Sequence, residues 1–76
     1  MRYSEYVDQM ERLRERAAYL RQVEEALKKA AEPVQEHEDD EVYEAIEAAQ
    51  ALCWSHQADV EQAMDDLDNE YERETA

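Results

Sequence analysis

The sequence predicts an all-α protein: an antiparallel two-helix hairpin that dimerises into a four-helix bundle. Three observations carry that reading. The 76 residues include no glycine and one proline, so tight hairpin turns have little to be built from. Helix formers dominate and β-branched residues are few, a bias that becomes informative over long windows. Apolar residues recur at steps of three and four along two long stretches with one short break between them, the periodicity of amphipathic helices.

The first helix is predicted over about residues 4–32. Its stripe reads Tyr3, Tyr6, Met10, Leu13, Ala17, Leu20, Leu27, Ala31 and Val34, with Glu24 in the stripe position between Leu20 and Leu27 and Val23 beside it. Ser4 is placed to cap the N-terminus, and Glu5 and Asp8 suit its positive end. Pro33 disfavours helical geometry at Glu32, so the helix is expected to end near there. A loop is expected over about 33–39.

The second helix is predicted over about 40–72, capped by Asp39 or Asp40, with a frayed tail at 73–76. Its stripe reads Val42, Ile46, Ala49, Cys53, His56, Val60, Ala63 and Leu67, flanked by Tyr43, Leu52, Met64 and Tyr71. The two helices form a single domain. A lone hairpin buries too little apolar surface to offset its chain entropy comfortably. The stripes are also broad: Tyr3, Tyr6, Val7, Tyr19, Val23, Leu52, Trp54 and Met64 spill past a two-residue seam. Such breadth suits a bundle, hence the expected homodimer; the alternative is a hairpin that docks its spare apolar surface on another protein.

Composition excludes several function classes. One cysteine makes no internal disulfide. Zero glycine removes phosphate-binding loops, nucleophile elbows and EF-hand loops. No run approaches the ~18 apolar residues of a membrane span. A net charge of −14 argues against direct binding to nucleic acid or an anionic membrane. A soluble, cytoplasmic protein is the expectation.

That charge is lopsided. Residues 1–31 carry seven bases and six acids, a net of +1, whereas residues 32–76 carry sixteen acids and one base, a net of −15. Arg14, Arg16 and Arg21 are expected to flank the seam and face acids such as Asp59 or Glu61. Exposed pairs of that kind contribute about 0–1 kcal/mol each. Most of the acids are left to repel one another, which costs stability. High salt, bound cations or a basic partner would each relieve that repulsion. A halophile's acidity covers the whole surface, but here one helix is near neutral, so a basic protein partner is preferred. A rod bearing fifteen net negatives resembles a stretch of nucleic-acid backbone, with its one charge per ~1.7 Å of duplex.

The acids expected to contact such a partner are Glu36, Glu38, Asp39, Asp40, Glu41, Glu44, Glu47, Asp59, Glu61, Asp65, Asp66, Asp68 and Glu70, with Trp54 as an apolar anchor or, alternatively, as an aromatic covering the second layer of the dimer. The clusters at 36–41 and 65–70 give residues 32–76 a compositional resemblance to small acidic inhibitors made by phages and mobile elements, of the anti-CRISPR or anti-restriction type. The resemblance implies a non-catalytic inhibitor or decoy acting on a nucleic-acid-handling protein; it carries over no individual residue. The stretch Glu38-Asp39-Asp40-Glu41-Val42, with Ala45 and Ala49, is similar to a ubiquitin-interacting helix but has Ala49 where that family has serine.

Other chemistry has less to stand on. Cys53 and His56, three apart on one helix face, would supply half of a tetrahedral zinc site shared between two copies. The preferred reading is a buried thiol and a hydrogen-bonded imidazole, with no metal and no cofactor. Glu-x-x-His pairs, which di-iron bundles need, do not occur. Asp66-x-Asp68-x-Glu70 lacks the glycine of a calcium loop. Neither Cys53 nor Ser4 nor Ser55 has an evident base, so no enzymatic activity is expected. The reading is a binding protein; the runner-up is a dimeric coiled-coil adaptor that binds through its apolar stripe.

Overall fold

The computed structural model describes residues 1–75. Two helices, α1 (Tyr3–Glu36) and α2 (Asp40–Thr75), account for the described secondary structure, with no strand among the described residues. They pack along their whole length as a hairpin with Cα extents of 57 × 15 × 11 Å. The radius of gyration is 17.3 Å, against about 11 Å for a compact domain of this length.

The seam follows the predicted stripes. Met10 and Leu20 of α1 and Cys53, Val60 and Leu67 of α2 are buried. Leu13, Ala17, Leu27, Ala31 and Val34 on one side, and Tyr43, Ile46, Met64 and Tyr71 on the other, are half-buried around them. Ile46, Cys53, Val60 and Leu67 recur every seven residues, the spacing of a coiled-coil seam. Val42, expected in the stripe, is 44 % exposed, and the half-buried Tyr43 takes its place. At the open end Tyr6 stacks on Tyr71 at 4.4 Å between ring centroids, with Tyr3 tilted against both.

The helix ends differ from the sequence expectation in four respects. First, α1 starts one residue earlier than predicted: Arg2 is the N-cap, without a side-chain cap, and Ser4 lies inside the helix. Tyr3 packing on Tyr6 and Tyr71, and the terminal ammonium pairing with Glu74, hold that first turn instead. Second, α1 runs through Pro33 to Glu36. Proline removes one N–H, but Val34 beyond it is half-buried in the seam and the last turn closes on three backbone bonds. His37 N–H donates to Pro33 O (3.1 Å), Glu38 N–H to Gln35 O (3.1 Å) and Asp39 N–H to Val34 O (3.2 Å). The last two make a Schellman motif, in which Glu38 occupies the left-handed position with φ 54°. Third, the loop shrinks from the expected 33–39 to residues 37–39. Asp39 ends one helix and starts the next: its carbonyl accepts from Tyr43 N–H, and its Oδ1 accepts from Val42 N–H at 3.3 Å. Fourth, α2 stays helical to Thr75, whose hydroxyl donates to Tyr71 O at 2.9 Å; of the expected frayed tail, residue 76 lies outside the described residues.

Candidate protein-binding surface

The amphipathic period of α2 leaves its acids the outer side, and along the chain the acids of the α1 end, the loop and α2 form two groups. Glu36, Glu38, Asp39, Asp40, Glu41, Glu44 and Glu47 cluster at the loop end, and all are exposed. Asp59, Glu61, Asp65, Asp66 and Glu70 form a second group toward the open end, also exposed. Between them residues 48–58 carry no charge over about 16 Å of helix. Trp54 stands in that gap, 54 % exposed.

Few of these carboxylates are neutralised within the chain. Among the described residues the ion pairs are the N-terminal ammonium with Glu74 and Lys28 with Glu24. Arg16, one of the three arginines expected to face acids such as Asp59 or Glu61, instead donates to His56 Nδ1 at 3.0 Å. A guanidinium only donates, so Nδ1 is the unprotonated ring nitrogen. Three of the predicted acids have local roles. Asp39 caps α2. Asp66 accepts from Gln62 Nε2 at 2.9 Å. Asp68, half-buried, accepts from the Tyr6 hydroxyl and pushes the pKa of that phenol up.

Trp54 is held in place. Its indole N–H donates to Glu24 Oε1 at 2.6 Å, and Gln57 Nε2 donates to Glu24 Oε2 at 3.0 Å. Glu24, the polar residue in the apolar stripe, therefore has both oxygens engaged across the seam. The bond from Trp54, then that from Gln57, holds its carboxyl below the ordinary glutamate value, against a smaller opposing push from desolvation. Glu24 and Gln57 are the residues that sequence reasoning missed. The one available signal was the stripe position of Glu24.

Cys53 is buried and unpaired, and His56 is half-buried beside Arg16. No group of three or more His, Cys, Asp or Glu side chains suited to a metal ion gathers among the described residues. None of the described helices is long and apolar enough to cross a membrane. Comparison of the chain with protein-family models, curated proteins and solved structures found no match.

Proposed function

We propose that the protein is a non-catalytic inhibitor or decoy whose acidic second helix occupies a basic, nucleic-acid-binding surface of a partner protein. The observation that carries this reading is the row of exposed carboxylates on α2, of which only Glu74 is ion-paired among the described residues. α2 has 36 residues and is about 54 Å long, so its two acidic groups reach across a groove of nucleic-acid dimensions. Unpaired exposed acids steer and hold a basic partner. Trp54, half-exposed and pinned between the two groups, has the character of an interface anchor, since tryptophan is enriched among the residues that dominate binding. The partner class is a nucleic-acid-handling defence or regulatory protein in the cytoplasm, and the hairpin acts as a dimer in a four-helix bundle.

The decisive experiment is a pull-down with the intact chain from host lysate at about 50 mM and 500 mM salt, followed by competition of the identified partner with its own nucleic acid. Capture of a basic protein at low salt, its release at high salt and displacement by nucleic acid are expected. A partner bound equally at both salt levels would overturn charge mimicry.

A second reading, an adaptor that binds through apolar surface, is favoured by Tyr19 and Leu52, each 60 % exposed. The two readings separate on charge reversal of Asp65 and Asp66, which weakens the first contact and leaves the second unchanged.

A further inference from the structure

One flank of the hairpin is unlike the rest of the surface. On α1 the side chains at Arg16, Tyr19, Val23, Ala26 and Ala30 step along it by threes and fours; on α2 the same steps give Val42, Ala45, Ala49, Leu52 and His56. The two bands run antiparallel. Arg16 meets His56 at one end, and Tyr19, Val23 and Leu52 line one groove of about 280 Å³ with Cys53 at its wall. Tyr19, Val42 and Leu52 are three of the five large apolar side chains the chain leaves exposed. The ten positions include no acid, in a chain with 22. The opposite flank surrounds Trp54 with charged side chains: Glu24 on its indole, and Arg14, Arg21 and Glu61 in one groove.

The area argues for what covers this flank. The chain exposes 5990 Å², whereas a folded monomer of 9.0 kDa exposes about 4,900 Å². The excess is about 1,100 Å², and a standard interface buries about 800 Å² per partner. The excess is that of a 57 × 15 × 11 Å rod, and one contact with a second hairpin covers area of that order. Charge points to the same occupant. Two copies each at −14 repel, and their least repulsive contact is one that buries no carboxylate. A basic partner, by contrast, is drawn to the outer side of α2.

We infer that the Tyr19–Val23–Leu52 flank is the homodimer interface, leaving both acidic helices free on the outside of the bundle. The inference rests on the dimer in the functional reading above and assigns its contact face. The same surface meets itself about a two-fold axis.

The test is sedimentation equilibrium of the intact chain, with two charge-matched variants. The wild type is expected as a dimer of about 18 kDa, twice the chain mass. Leu52→Glu places a carboxylate on the flank at a site already exposed in the single hairpin, and is expected to weaken dimerisation at least tenfold. Ala58→Glu adds the same charge on the outer side of α2 and is expected to change it less than threefold. Equal weakening by both variants would mean that net charge, not this face, is responsible, and would overturn the inference. So would a dimer unaffected by Leu52→Glu. A wild type that stays monomeric would remove the dimer reading itself, without touching the salt-dependent capture of a basic partner. Should Leu52→Glu fail to fold, nuclear Overhauser contacts between isotope-labelled and unlabelled wild-type copies decide: contacts among Tyr19, Val23 and Leu52 are expected, and contacts confined to the Trp54 side overturn the assignment.

Discussion

The indole N–H of Trp54 donates to Glu24 Oε1 at 2.6 Å, tying the exposed aromatic of α2 to the acid that interrupts the apolar stripe of α1. A carboxylate among apolar neighbours is costly unless its oxygens are engaged, and Trp54 and Gln57 engage both.

That contact is expected to titrate. Hydrogen bonds to the charged form lower the pKa of Glu24, so its stabilising contribution is complete above the unfolded value of about 4.3. The contribution is lost as pH falls through the lower folded value. Global stability sums every charge change in the chain and is a poor readout. Trp54 fluorescence reports the local step instead. A transition with its midpoint below about 4.3 is expected in the wild type and absent in Glu24→Gln; a transition that persists in the variant assigns it to another group.

Salt is expected to stabilise the fold. Two ion pairs among the described residues offer little attraction to screen, whereas the exposed acids of α2 offer much repulsion. Raising salt from about 50 mM to 500 mM should raise Tm by several degrees, measured by circular dichroism at 222 nm. A fall in Tm would show that attraction between charges outweighs repulsion.

The loop carries two opposing substitutions. Glu38 sits at φ 54°, a conformation that costs a non-glycine residue about 1 kcal/mol. Glu38→Gly is therefore expected to stabilise by about 0.5–1 kcal/mol in urea denaturation. Asp39→Ala removes the α2 cap and is expected to cost about 1 kcal/mol, while Asp39→Ser keeps the cap without the charge and recovers most of the loss.

The seam is expected to be intolerant of truncation. Leu20 is 6 % exposed and Val60 3 %, so Leu20→Ala should cost on the order of 2–3 kcal/mol. In a hairpin with five buried side chains that loss removes most of the helical signal at room temperature. Trp54→Ala leaves Glu24 Oε1 without its donor and is expected to cost less than Leu20→Ala, because the Glu24 side chain is 19 % exposed and open to water.

Much of the fold was legible because a 3.6-residue period survives every other influence on the chain. The stripe from Tyr6 to Val34 and the buried run Cys53, Val60 and Leu67 needed only spacing. The cross-helix partners needed the loop length as well, and there the proline misled. Its effect on Glu32 is real as a local preference, but Val34 in the seam and the backbone bonds of the last turn outweigh it. Arg16, one of three arginines expected to face acids such as Asp59 or Glu61, meets His56, almost one turn from Asp59. The Trp54–Glu24 contact lay out of reach for the same reason: two residues thirty apart meet only once the register is known. The acidic character of α2 was legible from composition alone, but not that Asp39 and Asp68 serve the fold.

The three residues 37–39 act as a phase setting for the molecule. Asp39 belongs to the end of one helix and the start of the other, so nothing in the connection can absorb an extra residue. Inserting one would turn α2 by about 100° about its axis. Cys53, Val60 and Leu67 would leave the seam, and residues from the acidic side or the Tyr19–Leu52 flank would rotate toward it. The angular offset between what the hairpin buries and what it shows is thus written into a connection of three side chains, and divergent copies of this protein should vary in the length of their helices before they vary in the length of that loop.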